Sequence, residues 1–494
     1  IKMKKKYAIF TVIIFILLVT TFTYFNTLKQ NNIYKENIEN NQTKITKGIS
    51  MNLEQTAGAG DYKTVTQSGW PTEGYKFNTE LSRCENGSEL SWDDTNKKVI
   101  VSGNLSDKCY VYFDIWIPTI ADYCTSGTDL ATCVKNFGDQ GVDVSNIYIH
   151  DSSLTNGAGD NSYRFAGGDY NLTKKAKKDG RNSIIGGNNP VVQTLDVDLS
   201  NWEDVYNSTY YVYYDNIRYF NTFAKALTYA INDGYLEKDN VKNFVCFGSN
   251  EKPCPYDNLY RIIGVFDDKV KLIKSTFITC DILGINNCTS YGQVISDNWR
   301  NDFGYSNLKY YSTLWSSGTN TWSESYINTE YLNTRLINNL GTIWSNKIVT
   351  TTWKVGGNTA ANIRSKTPSE AYTNEITSPT KNTTYSAKIG LMYVSDYGYS
   401  VQKNYWGEIL FNYNGISIDG PLRLLNWMYM GATEWTISPD TTATYDVFAI
   451  YYDGRIINQT VDDLSFYFRP FFFLNSSVSY VSGTGTQSDP IRIN

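Results

Sequence analysis

This sequence of 494 residues has few places where residues that commonly perform catalysis lie close together along the chain. The chain has one histidine, His150, and the neighbouring Asp151 makes this pair the obvious candidate acid–base dyad. The pair lies among Gly and Asn residues typical of turns, and no nucleophile motif, P-loop or dinucleotide-binding motif accompanies it. A single histidine nearly excludes histidine-based zinc sites and Ser-His-Asp triads. We therefore expect no catalytic residue, no metal site and no cofactor.

Aromatic side chains offer a better candidate for ligand binding than for catalysis. Aromatic rings bind sugars through their apolar faces and tolerate water at their polar edges. On this basis Tyr393, Asp396, Tyr397 and Trp406 are the candidate ligand-binding residues. The segment Asp396-Tyr397-Gly398 is predicted to be an exposed turn.

Other large side chains are predicted to be structural. Most large aromatic residues belong to a domain core. Arg469 lies between three phenylalanines, so its cation is expected to pair with a carboxylate or to stack on a ring. The predicted structural residues are Trp92, Trp427, Trp435 and Arg469.

The eight cysteines indicate disulfide bonds in an oxidising compartment. They form neighbouring pairs along the chain, and no Cys-x-x-Cys motif that would suggest a zinc ribbon occurs. An even number of cysteines in close pairs on an exported chain is typical of disulfides. The predicted bonds are Cys84–Cys109, Cys124–Cys133, Cys246–Cys254 and Cys280–Cys288.

The amino terminus predicts a membrane anchor. Lys4, Lys5 and Lys6 precede an uncharged run over residues 7–25, which as a helix would be about 28 Å long. The lysines should stay cytoplasmic, which places the carboxyl-terminal bulk outside the cell. A cleaved signal peptide and a secreted protein are the alternative, although no A-x-A cleavage pattern is present.

The net charge of −5 does not favour nucleic-acid binding.

The remaining chain is expected to be mainly β, with an α+β carboxyl-terminal domain. Strand alternation predicts a small β-sandwich-like spacer, and the helical periodicity over 323–340 ends at Gly341. Residues 259–266 and 269–274 should form a hairpin through Asp267-Asp268. The predicted divisions are an anchor helix over 1–26, a polar stalk over 27–60, the spacer over 61–118, a Gly-rich insertion or linker with one helix over 119–242, and a lectin-like domain over 243–494.

Several segments resemble an uncharacterised family of surface domains from exported proteins of low-GC Gram-positive and related gut-type bacteria. The resemblance rests on four segments: 258–266, 388–399, Phe468-Arg469-Pro470 and the closing 483–490. The family has no assigned activity, so it implies architecture more than function.

A wider similarity is to C-type-lectin-like and formylglycine-generating-enzyme-like folds, carried by Glu434-Trp435-Thr436 and Phe468-Arg469-Pro470. That fold implies that the terminal strands pair, here 259–266 with 490–493. The copper-binding cysteine pair of the enzymes and the calcium motif of the lectins are both missing, so only the fold carries over.

Together these features predict a membrane-anchored extracellular protein that displays a ligand-binding or adhesion domain. Its expected partners are the membrane, through residues 7–25, and a glycan or cell-wall polymer. We expect the protein not to be an enzyme. Two alternatives stay open: a glycan-processing enzyme that uses a carboxylate pair, and a structural envelope protein. The oligomeric state is not predicted.

Overall fold

The computed structural model divides into two compact units, Ile1–Ile117 and Pro118–Asn494. It describes residues 48–56, 59–66, 69–71, 73–103, 107–172, 185–187, 210–214, 216–220, 229–232, 236–238, 241–286, 310–379, 381–417 and 420–494. The expected anchor over residues 7–25 lies outside these ranges. Within them, no helix combines the length and the apolar run needed to cross a membrane.

The amino-terminal unit consists of a five-stranded sheet and a separate hairpin. Lys108–Ile115 pairs in parallel with Gly48–Glu54 and antiparallel with two short strands. Trp92, on the hairpin, packs 5.5 Å from Phe113 of the sheet between ring centroids. The strands are Gly48–Glu54, Tyr62–Val65, Tyr75–Phe77, Arg83–Cys84, Glu89–Asp93, Lys98–Ser102 and Lys108–Ile115.

This arrangement corrects one predicted boundary and confirms a structural residue. Residues 48–54 were expected in the polar stalk, but they form a strand whose Met51 and Leu53 are buried. The chain pairs them with Lys108–Ile115, a partner too far along the sequence for local patterning to indicate. Trp92 packs against the core of this unit as predicted.

The carboxyl-terminal unit is built around a seven-stranded sheet. The strand order is Ile389–Gly390, Phe471–Phe473, Lys269–Lys274, Leu259–Phe266, Tyr163–Phe165 and Ile147–Ile149, and Phe244–Cys246 also pairs with Leu259–Phe266. A three-stranded sheet of Glu434–Pro439, Asp446–Ile450 and Ile456–Thr460 accompanies it. The described residues of this unit are therefore rich in β-structure, as predicted.

Short strand pairs and helices complete this unit. The paired strands are Thr351–Lys354 with Thr384–Ala387, Tyr480–Ser482 with Arg492–Ile493, Tyr170–Leu172 with Leu236–Lys238, Ile416–Ser417 with Gly420–Pro421, and Ile185–Gly187 with Tyr210–Tyr214 and Asn216–Phe220. The α- and π-helices are Leu130–Gly138, Val142–Ser145, Ile327–Leu336, Ile337–Ser345, Ala360–Arg364, Pro368–Tyr372, Thr373–Thr377 and Val394–Tyr399. Single 3₁₀ turns are Ile120–Asp122, Tyr256–Asn258, Trp322–Glu324, Lys403–Tyr405 and Leu410–Asn412.

The central hairpin forms as its sequence predicts. Asp267 and Asp268 have φ angles of 44° and 61°, which suit a two-residue turn between twisted antiparallel strands. Gly264 then allows the neighbouring strand to approach, because a Cβ there would lie 2.1 Å from the Tyr163 carbonyl oxygen. The predicted helix is also present, and Gly341 breaks it with a φ of 67°.

The region before residue 243 is part of this unit and not a linker in front of it. Ile147–Ile149 and Tyr163–Phe165 lie in the same sheet as Leu259–Phe266. The helix Leu130–Gly138 contributes buried residues to the common core. Phe220 ends a strand, and residues 229–232 are helical. A boundary at 242/243 is therefore wrong for the described residues.

The pairing expected between the terminal strands is also wrong. Arg492–Ile493 pairs with Tyr480–Ser482. Ile491 forms a parallel bridge with Val245, whose strand in turn pairs with Leu259–Phe266. The closing segment is therefore separated from the opening strand by Phe244–Cys246.

Three predicted disulfides are present. The Cα separations are 4.0 Å for Cys84–Cys109, 5.1 Å for Cys124–Cys133 and 5.9 Å for Cys246–Cys254. The first lies slightly below the usual range, because the two cysteines face each other on paired strands. Cys280 is also disulfide-bonded, and its expected partner Cys288 lies outside the described residues.

Candidate functional site

A cavity of about 250 Å³ opens beside the central hairpin, and we call it the charged cavity. Aromatic side chains form much of its wall, and three aspartates and two lysines lie among them. Its volume is below the 300–1,000 Å³ of most sites for drug-sized ligands, which suits a ligand the size of one sugar ring. The residues used below are Asp160, Lys271, Trp353, Tyr372, Tyr393 and Asp396.

Lys271 and Asp396 form a buried ion pair in this wall. The ammonium Nζ lies 3.0 and 2.9 Å from the two carboxylate oxygens. It also lies 4.3 Å from the ring centroid of Phe471 and 4.6 Å from that of Phe266. Burial lowers the pKa of Lys271, because the loss of water outweighs the attraction of Asp396.

Asp160 supplies a second carboxylate and is held by several donors. The guanidinium Nη2 of Arg164 lies 2.5 Å from Asp160 Oδ2, and the Tyr372 hydroxyl donates to the same oxygen at 2.7 Å. Burial raises the pKa of Asp160, but the attraction of Arg164 and hydrogen bonds from Ser162 and Tyr372 outweigh it. The pKa therefore lies well below its ordinary value, and this side chain is ionised at neutral pH.

Arg164 links the two carboxylates. Its Nη1 lies 3.7 Å from Asp396 Oδ1, and its guanidinium is within 5.0 Å of the ring centroids of Tyr372, Tyr399 and Phe266. Arginine stacked on several rings and paired with a carboxylate is held in one orientation. The charges of the cavity are therefore fixed before any ligand enters.

Glu375 stabilises the helix that carries Asp396 but does not line the cavity. Its carboxylate oxygens accept the backbone N–H groups of Val394 and Ser395 at 3.2 and 3.1 Å, and the Ser438 hydroxyl donates to it as well. Burial raises the pKa of Glu375 to about 7. This residue thus positions the start of Val394–Tyr399.

His150 is a core residue. Its ring is fully buried, and its centroid lies 4.8 Å from those of Tyr399 and Trp406. Its Nδ1 accepts the backbone N–H of Ala158 at 3.0 Å. Burial lowers the pKa of His150 to about 2, so the ring is neutral at physiological pH. Asp151 instead accepts hydrogen bonds from Ser153.

The four sequence-predicted ligand residues divide into two groups. Tyr393 and Asp396 line the charged cavity. Tyr397 and Trp406 are fully buried elsewhere, where the Tyr397 hydroxyl donates to Gly454 O and the Trp406 indole donates to Val401 O. The expectation of an exposed turn at 396–398 is wrong, because these residues lie in the buried helix Val394–Tyr399.

The predicted structural residues of this unit are all buried. The Trp427 indole donates to Phe165 O at 3.0 Å, and the Trp435 indole donates to Thr313 O at 2.9 Å. Arg469 pairs with Glu434, with Nε–Oε1 at 2.7 Å and Nη2–Oε2 at 2.9 Å. This pair joins the two segments on which the wider resemblance rests.

Within the described residues, one group of potential metal ligands is clustered: Cys84, Asp107 and Cys109. The two sulfur atoms are bonded to each other, so they cannot act as thiolate ligands.

The chain shows no match to a family model, a curated protein or a solved structure.

Proposed function

We propose that this chain is an exported surface protein, anchored through residues 7–25, whose C-type-lectin-like carboxyl-terminal unit binds a sugar-sized polar ligand in the charged cavity. Three disulfides support an oxidising, extracellular location, because such bonds rarely persist in the cytosol. The amino-terminal β-unit would serve as a spacer between the membrane and the binding unit.

The observation that carries the proposal is the combination of aromatic faces with fixed charges in one small cavity. Sugars present apolar C–H faces together with hydroxyl groups. Trp353, Tyr372 and Tyr393 supply aromatic wall for the C–H faces, and Lys271 and Asp396 supply polar groups for the hydroxyls. Because Arg164 and Glu375 hold these groups in place, little ordering is needed when a ligand binds.

The carboxylate pair also supports a second candidate, a glycan-processing enzyme. Asp160 and Asp396 line the same cavity and contact the same guanidinium. Glycoside hydrolysis, however, needs one carboxyl that is protonated at working pH. The pKa of Asp160 is held low, and Glu375, whose pKa is about 7, is not among the lining residues. The charges therefore fit binding better than acid catalysis.

Two matched lysine variants test the binding proposal on a glycan array. Lys271→Met removes an ammonium that lines the cavity. Lys274→Met is the control, because Lys274 is on the same strand and is buried against Asp257 at 3.0 Å but does not line the cavity. We expect the wild-type protein and Lys274→Met to bind the same glycans and Lys271→Met to lose them. Equal binding by both variants would contradict the proposal.

A milder pair of variants serves if the lysine variants do not fold. Tyr372→Phe keeps the ring in the cavity wall and removes the hydroxyl that donates to Asp160. Tyr445→Phe is its control, because the Tyr445 hydroxyl donates to the exposed Asp462 outside the cavity. We expect roughly a twofold to tenfold loss of affinity for Tyr372→Phe alone, the size of one net hydrogen bond. Cleavage of the bound glycan would instead support the enzyme.

The anchor is tested separately from the ligand. Sequencing the amino terminus of the protein from the membrane fraction should find the segment 7–25 intact. A mature amino terminus after residue 20 would show a secreted protein.

A further inference from the structure

A second concave site lies at one end of the strand pair Thr351–Lys354 and Thr384–Ala387, and we call it the hydroxyl cleft. Its volume is about 170 Å³, and it shares no lining residue with the charged cavity. Four stretches of chain form it: residues 320–323, 355–356, 381 with 383–385, and 439–441. The Asn320 amide ties the first stretch to the last by donating to Asp440 O at 2.9 Å.

One residue that lines the cleft carries a buried donor without a hydrogen-bond partner. Trp322 lines the cleft and is 1% exposed, and its indole N–H makes no hydrogen bond. The structure describes six tryptophans with less than 2% exposure, and the other five donate to backbone carbonyls. These five are Trp315, Trp353, Trp406, Trp427 and Trp435. Since a buried N–H without an acceptor is costly, an acceptor supplied by a ligand would stabilise this site.

Asn358 is a second unsatisfied group beside the same wall. It is fully buried, and neither its amide oxygen nor its amide nitrogen has a hydrogen-bond partner. Its backbone is held between two lining residues, with the Asn358 N–H donating to Pro439 O at 3.1 Å and the Thr441 N–H donating to Asn358 O at 2.6 Å. Of these two unsatisfied side chains, Trp322 lines the cleft, and Asn358 is bonded to the cleft wall through its backbone.

The lining indicates a neutral ligand rich in hydroxyl groups. Hydroxyl side chains dominate the wall, and they both donate and accept hydrogen bonds. Only two charged residues are among the lining residues described, Lys381, which is exposed, and Asp440. Asp440 Oδ1 already accepts from the Thr442 N–H, the Thr442 hydroxyl and the Ala360 N–H. The lining hydroxyl residues are Thr321, Ser323, Thr383, Thr384, Tyr385 and Thr441.

We propose that the hydroxyl cleft is a second binding site, which takes a neutral polyhydroxylated ring such as a hexose or a cyclic polyol. The indole N–H of Trp322 donates to a ligand oxygen, and the threonine hydroxyls bind its remaining groups. This site is independent of the charged cavity, and either one can exist without the other.

Fluorine NMR of full-length protein labelled with 5-fluorotryptophan tests both sites in one titration. Trp322 reports on the hydroxyl cleft and Trp353 on the charged cavity, because each ring lines only one of them. Trp322→Phe and Trp353→Phe assign the two resonances among the twelve tryptophans. The probes are glucose, N-acetylglucosamine and myo-inositol. We expect at least one probe to shift the Trp322 resonance saturably.

A threonine pair shows whether the probe contacts the cleft. Thr383→Val removes a hydroxyl from the exposed rim of the cleft and should weaken the affinity roughly threefold to tenfold. Thr342→Val is the matched control, because Thr342 is exposed and lines neither site. Equal affinities in the two variants would overturn the second site.

The remaining outcomes separate this site from the proposed function. If none of the three probes moves the Trp322 resonance, the cleft holds only water and the second site is refuted. If only the Trp353 resonance moves, the charged cavity binds the sugar and the hydroxyl cleft does not. If only the Trp322 resonance moves, the second site stands while these probes give the charged cavity no support.

Discussion

Replacing Arg469 with methionine should strongly destabilise the carboxyl-terminal unit, because it leaves a buried carboxylate without its counterion. Arg469 and Glu434 are each 1% exposed, and two hydrogen bonds of 2.7 and 2.9 Å join them. Arg469 also donates to Met428 O at 2.7 Å. Removing one partner of such a buried pair costs about 3–5 kcal/mol of unfolding free energy. That is a large part of the 5–15 kcal/mol that is typical of folded proteins.

The cost should depend on pH in a defined direction. Burial raises the pKa of Glu434, and Arg469 opposes that increase, so its removal raises the pKa further. A carboxyl whose pKa is higher in the folded protein stabilises the fold fully below its unfolded pKa of about 4.3. This contribution is lost as the pH rises through the folded pKa. Arg469→Met should therefore be less destabilising at about pH 5 than at about pH 8.

Urea unfolding of the purified protein at both pH values measures this cost. Arg335→Met is the matched control, because Arg335 pairs with Glu330 at 2.8 Å while their side chains are 41% and 47% exposed. An exposed pair of this kind contributes about 0–1 kcal/mol. A double variant in which Glu434 and Arg469 are both methionine should recover much of the loss. Equal costs for Arg469→Met and Arg335→Met would refute the argument from burial.

Three further predictions concern stability. Glu375→Gln should flatten the pH dependence of the unfolding free energy. The carboxyl has a folded pKa of about 7, so its stabilising contribution is complete below about pH 4.3 and is lost as the pH rises through 7. Identical pH profiles for the variant and the wild type would contradict this prediction. Trp435→Ala should cost about 3–5 kcal/mol, since the ring is fully buried and donates to Thr313 O; an unchanged melting temperature with lost glycan binding would make Trp435 a ligand contact instead. Replacing both Cys84 and Cys109 with alanine should cost the amino-terminal unit about 3.5 kcal/mol, the chain-entropy value for a loop of 25 residues; unchanged resistance of residues 48–117 to proteolysis would argue against this.

Local signals account for the parts of the fold that the sequence predicted. The Asp267-Asp268 turn and the helix break at Gly341 depend on residues within a few positions of one another. The bonded cysteines are 8, 9 and 25 residues apart. The strands at 147–149 and 163–165 were missed, because Tyr163–Phe165 pairs with Leu259–Phe266 about 100 residues later. Ile147–Ile149 joins the sheet through Tyr163–Phe165. Nothing in a short strand identifies such a distant partner.

The candidate site was found only in part, for a related reason. Tyr393 and Asp396 were selected for their aromatic and acidic character, and both line the charged cavity. The pattern Asp396-Tyr397-Gly398 resembles an exposed turn, and it is buried because Lys271, 125 residues away, neutralises the aspartate. Asp160 and Tyr372 were not singled out, since the hydrogen bond between them spans 212 residues.

The strand Lys269–Lys274 did carry an unused signal for this site. Its three lysines would normally face solvent, but the strand is paired on both edges, with Leu259–Phe266 and Phe471–Phe473. A lysine buried in a central strand requires a carboxylate, and both Lys271 and Lys274 have one. The pairs differ in what adjoins them: Lys274 donates to Asp257 O and lies in the core, whereas Lys271 lines a cavity with aromatic walls. A role in stability fully explains Lys274, whereas Lys271 combines a buried charge with room for a ligand.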